Sequence, residues 1–179
     1  MKLYYFEVRG AFMAKKKRIK KILVEQILDK AQIVYKSIVF EHGMQHMNDE
    51  LENMGIERHH MYKTLALMGN KTGPVIGIVP IDMHLNEKQL AAVSGNKRVD
   101  MLPTKDLQKT TGYVHGANNP VGIWQTKKFP IYFDSSAQAT GQIIISAGEI
   151  GRSIEIDAEE LAQFVHGQFA DIAVNEPQA

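Results

Sequence analysis

The sequence of 179 residues predicts an α+β fold, a mixed β-sheet with flanking helices. Two observations carry this. Segments of helical period are interleaved with short β-branched and aromatic runs. Several of those runs are joined too tightly for βαβ crossovers, which favours a mixed sheet over a doubly wound parallel one. Hydrophobic residues at 44% and charged residues at 23% are ordinary for a soluble globular protein, and no apolar run approaches a membrane span. A single domain over residues 13–174, long enough to bury a core, is expected.

Residues 1–12 precede Met13-Ala14-Lys15, which reads as a natural start, so they are set aside as a vector-derived or upstream extension. No apolar stretch with a small-residue cleavage site follows the basic N-terminus, so secretion is not expected. From Lys15 to about Lys30, Ile19, Ile22, Leu23, Ile27 and Leu28 recur at helical spacing with lysines on the other face. Val34–Phe40 is a strand by its β-branched and aromatic content. A short helix begins around Asn48, with early acids, and stops at Gly55. Tyr62–Met68 and Val75–Val79 are strands joined by a turn at Gly69–Gly73. Asn86–Val93 is a helix ended by Gly95. Val99–Leu102 is a strand, Thr104–Lys109 a helix, and Thr110–Gly122 a loop rich in glycine and asparagine. Further strands are expected at Pro130–Phe133, Gln142–Ser146 and Ser153–Ile156. Asp157 caps a last helix through Val165, Gly167 stops it, and residues 175–179 form a frayed tail.

Charge is unevenly spread. Lys15, Lys16, Lys17, Arg18, Lys20 and Lys21 cluster early, whereas Arg152 is the only Lys or Arg from Asp134 onward. A polyanionic partner and a merely solvated helix face both fit this asymmetry. The chain has no cysteine, which removes disulfides, thiolate nucleophiles and cysteine zinc sites, and is compatible with a reducing cytoplasm.

Motifs for phosphate loops, zinc proteases and serine hydrolases are absent. His42, His46, His59 and His60 fall within twenty residues, but no carboxylate or cysteine spacing supports a metal, so none is expected. Ser135-Ser136 beside Asp134 is either a nucleophile or, more commonly, a serine turn at a strand end. Three segments say more. Tyr62-Lys63-Thr64-Leu65 places a lysine inside a strand, where it is either an exposed strand residue or a site group. Gln108 to Gly122 (QKTTGYVHGANNPVG) offers backbone N–H groups suited to a phosphate or oxyanion. Ser146 to Gly151 (SAGEIG) runs from a strand into a small-residue turn.

In that order and spacing, YKTL, QKTTGYVHGANNPVG and SAGEIG resemble the YbaK/EbsC family of bacterial Cys-tRNA(Pro) deacylases, relatives of the editing domain inserted in bacterial prolyl-tRNA synthetase. The family pattern is FKTL, QKTTGY-x-x-GG-x-x-P-x-G and SGG-x-x-G. The likeness spans about Ile33 to Asp171.

The resemblance implies the curved mixed sheet of the editing-domain fold and a cytoplasmic enzyme that hydrolyses mischarged Cys-tRNA(Pro), and Cys-tRNA(Cys) with it, without cofactor or metal. It implies that Lys63 projects into the crevice for the 3′ acceptor end of the aminoacyl-tRNA, and that Ser146 stands near the aminoacyl group. Phe40, Thr64, Thr111, Gly112, Tyr113, Gly116, Ala117 and Gly148 are implied as substrate-binding. Cleavage would be substrate-assisted, the cysteine thiol or a ribose hydroxyl attacking the ester that the protein positions. Prolyl-tRNA synthetase is an implied partner; membrane and DNA are not. Phe40 replaces a family tyrosine, and Ala117 and Ala147 replace family glycines, so a methyl is expected to narrow the pocket or restrict φ there. The alternatives are a non-catalytic tRNA- or synthetase-binding module, a regulator of cell-wall protein expression on the same fold, and a small-molecule or metal hydrolase.

Overall fold

The computed structural model describes residues 19–40 and 46–175. The extension at 1–12, the basic residues Lys15–Arg18, His42 and the tail beyond Asn175 lie outside them.

The first helix, α1 (Leu23–Lys30), starts later than its periodicity suggests. The Ile22 N–H donates to Glu25 Oε2 at 3.0 Å, which caps the helix there. Strand β1 (Tyr35–Val39) follows, then α2 (Met47–Asn53), whose chain reverses at Gly55 with φ +67°. A single 3₁₀ turn, Arg58–His60, leads into the hairpin of β2 (Tyr62–Gly69) and β3 (Gly73–Pro80). Asn96 holds that hairpin's tip, its Oδ1 accepting from the N–H groups of Lys71 and Thr72 at 2.9 and 3.1 Å. Next come β4 (His84–Leu85), α3 (Glu87–Val93) and β5 (Val99–Met101). Asn86 caps α3 by accepting from Gln89 N.

Helix α4 (Thr104–Thr111) and α5 (Pro120–Lys127) shorten the predicted loop from 110–122 to 112–119. The second of these has no amphipathic period to announce it, because Pro120, Val121, Gly122 and Ile123 are all buried. The C-terminal part contains β6 (Ile131–Asp134), α6 (Ser136–Thr140), β7 (Gln142–Ser146), β8 (Arg152–Asp157), α7 (Ala158–Phe164), β9 (Gln168–Ala170) and β10 (Ala173–Val174). The Asp157 side chain accepts from Glu160 N, so the predicted cap of α7 is present.

The α+β class is as predicted, with the sheet divided into three. Strands β1-β8-β7 form one antiparallel sheet, β5-β2-β3-β6-β9 a second, and β10-β4 a short third. The second is mixed, since β3–β6 and β6–β9 are parallel and β2 pairs antiparallel with β3 and β5. One large apolar core lies between the first two sheets and takes residues from α1, α5 and α7. A smaller one sits under α3, on the other face of β2 and β3.

Asp134 is explained by this architecture. Its Oδ1 accepts from Ile172 N (3.0 Å) and Ala173 N (2.7 Å), and its Oδ2 from Ser136 N (3.0 Å). A carboxylate so engaged ties β10 to the end of β6 and starts α6. The serine pair beside it is part of a helix start, with Ser136 Oγ 3.0 Å from the Tyr62 hydroxyl.

Candidate functional site

Two of the sheets meet at one point. Met61 forms an isolated parallel bridge with Ile144, which lays the start of β2 against the edge strand β7. Side chains alternate along a strand, so two residues further on Lys63 and Ser146 face the same side as that bridged pair. Phe40 faces it too, because it packs with Met61, Ile144, Leu51 and Ile38 in a third apolar cluster. Ser153 aligns β1 with β7, pairing with Ile38 on one side and Ser146 on the other.

Lys63 is half-buried. Its Nζ donates to the Met83 carbonyl at 2.5 Å and the Ile81 carbonyl at 3.4 Å, both in the connection from β3 to β4. Burial lowers its pKa from the ordinary lysine value; nearby Arg58 lowers it further, and Asp82 opposes both. A lysine held in this way is no solvated strand residue. Thr64 points to the opposite face, is 8% exposed and leaves its hydroxyl without a hydrogen-bond partner among the described residues. The two motif residues are therefore not brought to one side.

The QKTTGY segment is built around Thr111. Its hydroxyl lies 2.9 Å from the Leu107 carbonyl and 2.9 Å from Asn118 Oδ1, and accepts from Tyr113 N at 3.1 Å. Gly112 ends α4 with φ +88°, a conformation that favours glycine. Asn119 caps α5 by accepting from Gly122 N at 2.6 Å and donates from Nδ2 to the Ala117 carbonyl at 3.3 Å. The N–H groups of Gly112, Tyr113 and Ala117 are thus engaged with Gln108 O, Thr111 Oγ1 and Val114 O. Gly116 is exposed with φ +84°.

The SAGEIG turn closes onto this loop. Gly148 (φ +95°) donates its N–H to Ser146 Oγ at 3.3 Å, and a Cβ at Gly148 would lie 3.1 Å from both Asn119 Nδ2 and the Tyr113 ring. The Tyr113 ring therefore lies against both Gly122 and Gly148. A methyl at Gly122 would collide with the Tyr113 hydroxyl. Gly122→Ala is expected to cost about 1–3 kcal/mol in urea unfolding, the usual price of overpacking. A loss below about 0.5 kcal/mol would show that Tyr113 swings clear easily.

The two alanines that replace family glycines are both buried. Ala147 is 1% exposed in the main core, on the strand face opposite Ser146. Ala117, within the loop, is 2% exposed. Sequence reading also missed the anchor of the turn. The Arg152 guanidinium donates to Glu25 Oε1 at 3.0 Å, and the Ser37 hydroxyl donates to that same oxygen at 2.6 Å. Glu25 is 2% exposed. No local signal could have joined residues so far apart in the chain.

Comparisons with known proteins identify the family and the fold. The family model described as "Aminoacyl-tRNA editing domain" matches residues 41–164. A protein of Enterococcus faecalis (strain ATCC 700802 / V583), EbsC, provisionally named a Cys-tRNA(Pro)/Cys-tRNA(Cys) deacylase, is 41% identical over 166 residues, covering 92% of this chain and 100% of the relative. Among solved structures, hypothetical protein APE2540 superposes with a TM-score of 0.75 at 18% identity, over 84% of this chain and 99% of that one. A protein provisionally described as a trans-editing enzyme for prolyl tRNA synthetase gives a TM-score of 0.71 at 18% identity, over 84% and 94% of the two chains. These two structures share the fold. With the family model spanning more than half of its length and a relative aligned along almost all of it, the chain belongs to the aminoacyl-tRNA editing domain family.

Proposed function

We propose that this chain is a trans-editing aminoacyl-tRNA deacylase acting on Cys-tRNA(Pro), and on Cys-tRNA(Cys) with it. The observation that supports the reading is the Met61–Ile144 bridge between β2 and β7, in a chain 41% identical to EbsC. Phe40 packs beside that bridge, and strand alternation turns Lys63 and Ser146 to the same side.

In this reading the Lys63 ammonium leaves the Met83 carbonyl to meet the terminal phosphate or ribose of the acceptor end. A compact cation on a flexible stem suits that exchange. Phe40, Met61 and Ile81 give the aminoacyl side chain an apolar wall. The Ser146 hydroxyl accepts from Gly148 N, which leaves its own proton for the aminoacyl group. Tyr113 and Gly148 shape the opposite rim, with Thr111, Gly112, Gly116 and Ala117 supporting the loop. The substrate's thiol sulfur attacks its own ester carbonyl carbon, the bond to the ribose oxygen breaks, and that oxygen leaves carrying the thiol's proton. Water then opens the cyclic thioester so formed to give free cysteine. Held in good geometry, such an attack gains roughly 7–11 kcal/mol over its intermolecular counterpart. Alanine has no thiol and is spared. No helix among the described residues is long and apolar enough to cross a membrane. Prolyl-tRNA synthetase is the partner that would supply tRNA selectivity, because the domain alone offers tRNA little surface.

Single-turnover release of labelled amino acid from Cys-tRNA(Pro) and Ala-tRNA(Pro) tests the proposal. Rapid loss of cysteine with alanine retained is the expected result. Loss of alanine instead would point to a sister specificity; release of neither would leave a binding module without catalysis.

A further inference from the structure

The structure brings together three ligand-type side chains that sequence spacing left apart. His59 and His60 lie on the Arg58–His60 turn, and Glu57 immediately precedes it. Glu57 Oε2 is 3.2 Å from His59 Nδ1, and one donor atom from each of the three side chains lies within 4.8 Å of the others. The carboxylate missing from the histidine-only reading is Glu57. We propose that Glu57, His59 and His60 form a surface site for a zinc-class divalent cation, with water completing its coordination.

The geometry is close to what such an ion needs. Zinc takes imidazole nitrogen and carboxylate oxygen at about 2.0–2.2 Å, so ligand atoms on its tetrahedron stand roughly 3.4 Å apart. The Glu57–His59 pair already meets that spacing, at 3.2 Å. No separation in the group exceeds 4.8 Å, so none needs to close by more than about 1.4 Å to reach it. Rotation of exposed side chains supplies this, and His59 and Glu57 are 55% and 71% exposed. The backbone beneath is already closed, with His60 N donating to Glu57 O and Met61 N to Arg58 O, each at 3.0 Å. The Arg58 guanidinium repels a cation, and its hydrogen bond to the uncharged Asn48 Oδ1 at 2.6 Å fixes its position without cancelling that charge. Two imidazoles and one carboxylate favour zinc, copper or nickel over magnesium or calcium, which prefer an all-oxygen shell. The turn runs through Met61 directly into β2, so an ion bound there pins the entry to the strand that carries Lys63. Binding only to the folded chain also raises its stability by linkage.

Zinc chloride titrated into the full chain without an affinity tag, by isothermal calorimetry and with thermal unfolding in parallel, tests this without any tRNA. Its failure is therefore separate from failure of the deacylase reading. Expected are one ion per chain, a zinc-dependent rise in Tm, and affinity at least tenfold weaker in each of His59→Ala, His60→Ala and Glu57→Gln. His84→Ala should bind as wild type does, and magnesium should give no response. Glu57 and His59 are exposed and His60 partly so, and metal-free melting curves check that the three variants fold. The proposal is overturned by no stoichiometric binding up to about 1 mM zinc, or by equal affinity in wild type and the three variants.

Discussion

Lys63→Ala should lower single-turnover release of cysteine from Cys-tRNA(Pro) by about 10²–10³-fold, the scale on which loss of one preorganised electrostatic contact acts. Stability should change little, because the side chain is half-buried and its removal strips the Ile81 and Met83 carbonyls of one donor only. The same group fixes the sign of the pH dependence. Burial disfavours the ammonium, so Lys63 loses its proton at lower pH than an ordinary lysine. A rate that requires the cation is therefore full on the acid side of that pKa and falls as pH rises through it, sooner than a solvent-exposed lysine would dictate. Lys63→Arg keeps charge to higher pH but cannot occupy a compact niche between two carbonyls, so partial activity with a flatter alkaline limb is expected. Equal rates for wild type and Lys63→Ala would remove Lys63 from the site.

Glu25→Ala should destabilise the fold by about 3–5 kcal/mol, read as a drop in the urea midpoint at constant slope. Three groups lose their acceptor together: the Arg152 guanidinium, the Ser37 hydroxyl and the Ile22 N–H that opens α1. The first of these is the costliest, since it leaves a cation 13% exposed without its counter-ion. The double variant Glu25→Leu with Arg152→Met should recover most of the loss, because replacing both members of a buried pair by apolar groups is often neutral. Failure of the pair to recover would mean that the capping and hydroxyl contacts dominate. The residues that follow Ser146 end in Arg152, so Glu25→Ala should also depress deacylation in proportion to its loosening of that turn.

These two residues mark where the sequence was and was not legible. Lys63 stood out because a charge inside a strand breaks alternation, and the family motif marked it. Its carbonyl partners at Ile81 and Met83 were invisible, because they are backbone atoms in a link without a pattern. Helix α3 and helix α7 were readable through Asn86 and Asp157, side chains that announce a helix start locally. Helix α5 was missed because burial of its whole first turn and exposure of its last erase the periodicity, and α6 because five residues carry too little pattern. Strands β4, β9 and β10 are two or three residues long and owe their form to pairing across the chain. Phe40 was legible as a change from the family tyrosine, and the structure adds that it packs in an apolar cluster. The pairing of Glu25 with Arg152 had no signal in either stretch alone.

The pairing of β1 with β8 sets Tyr35 opposite Ile156, and Ser146 is aligned with β1 only through β8. During synthesis the chain cannot join these strands until almost all of it has left the ribosome. The hairpin of β2 and β3 can close early, since its strands are adjacent, whereas the β1–β8 contact must wait and pay the entropy of a very long loop. Nascent chains arrested before β8 should hold a folded hairpin while β1 and β7 still lack the strand that joins them.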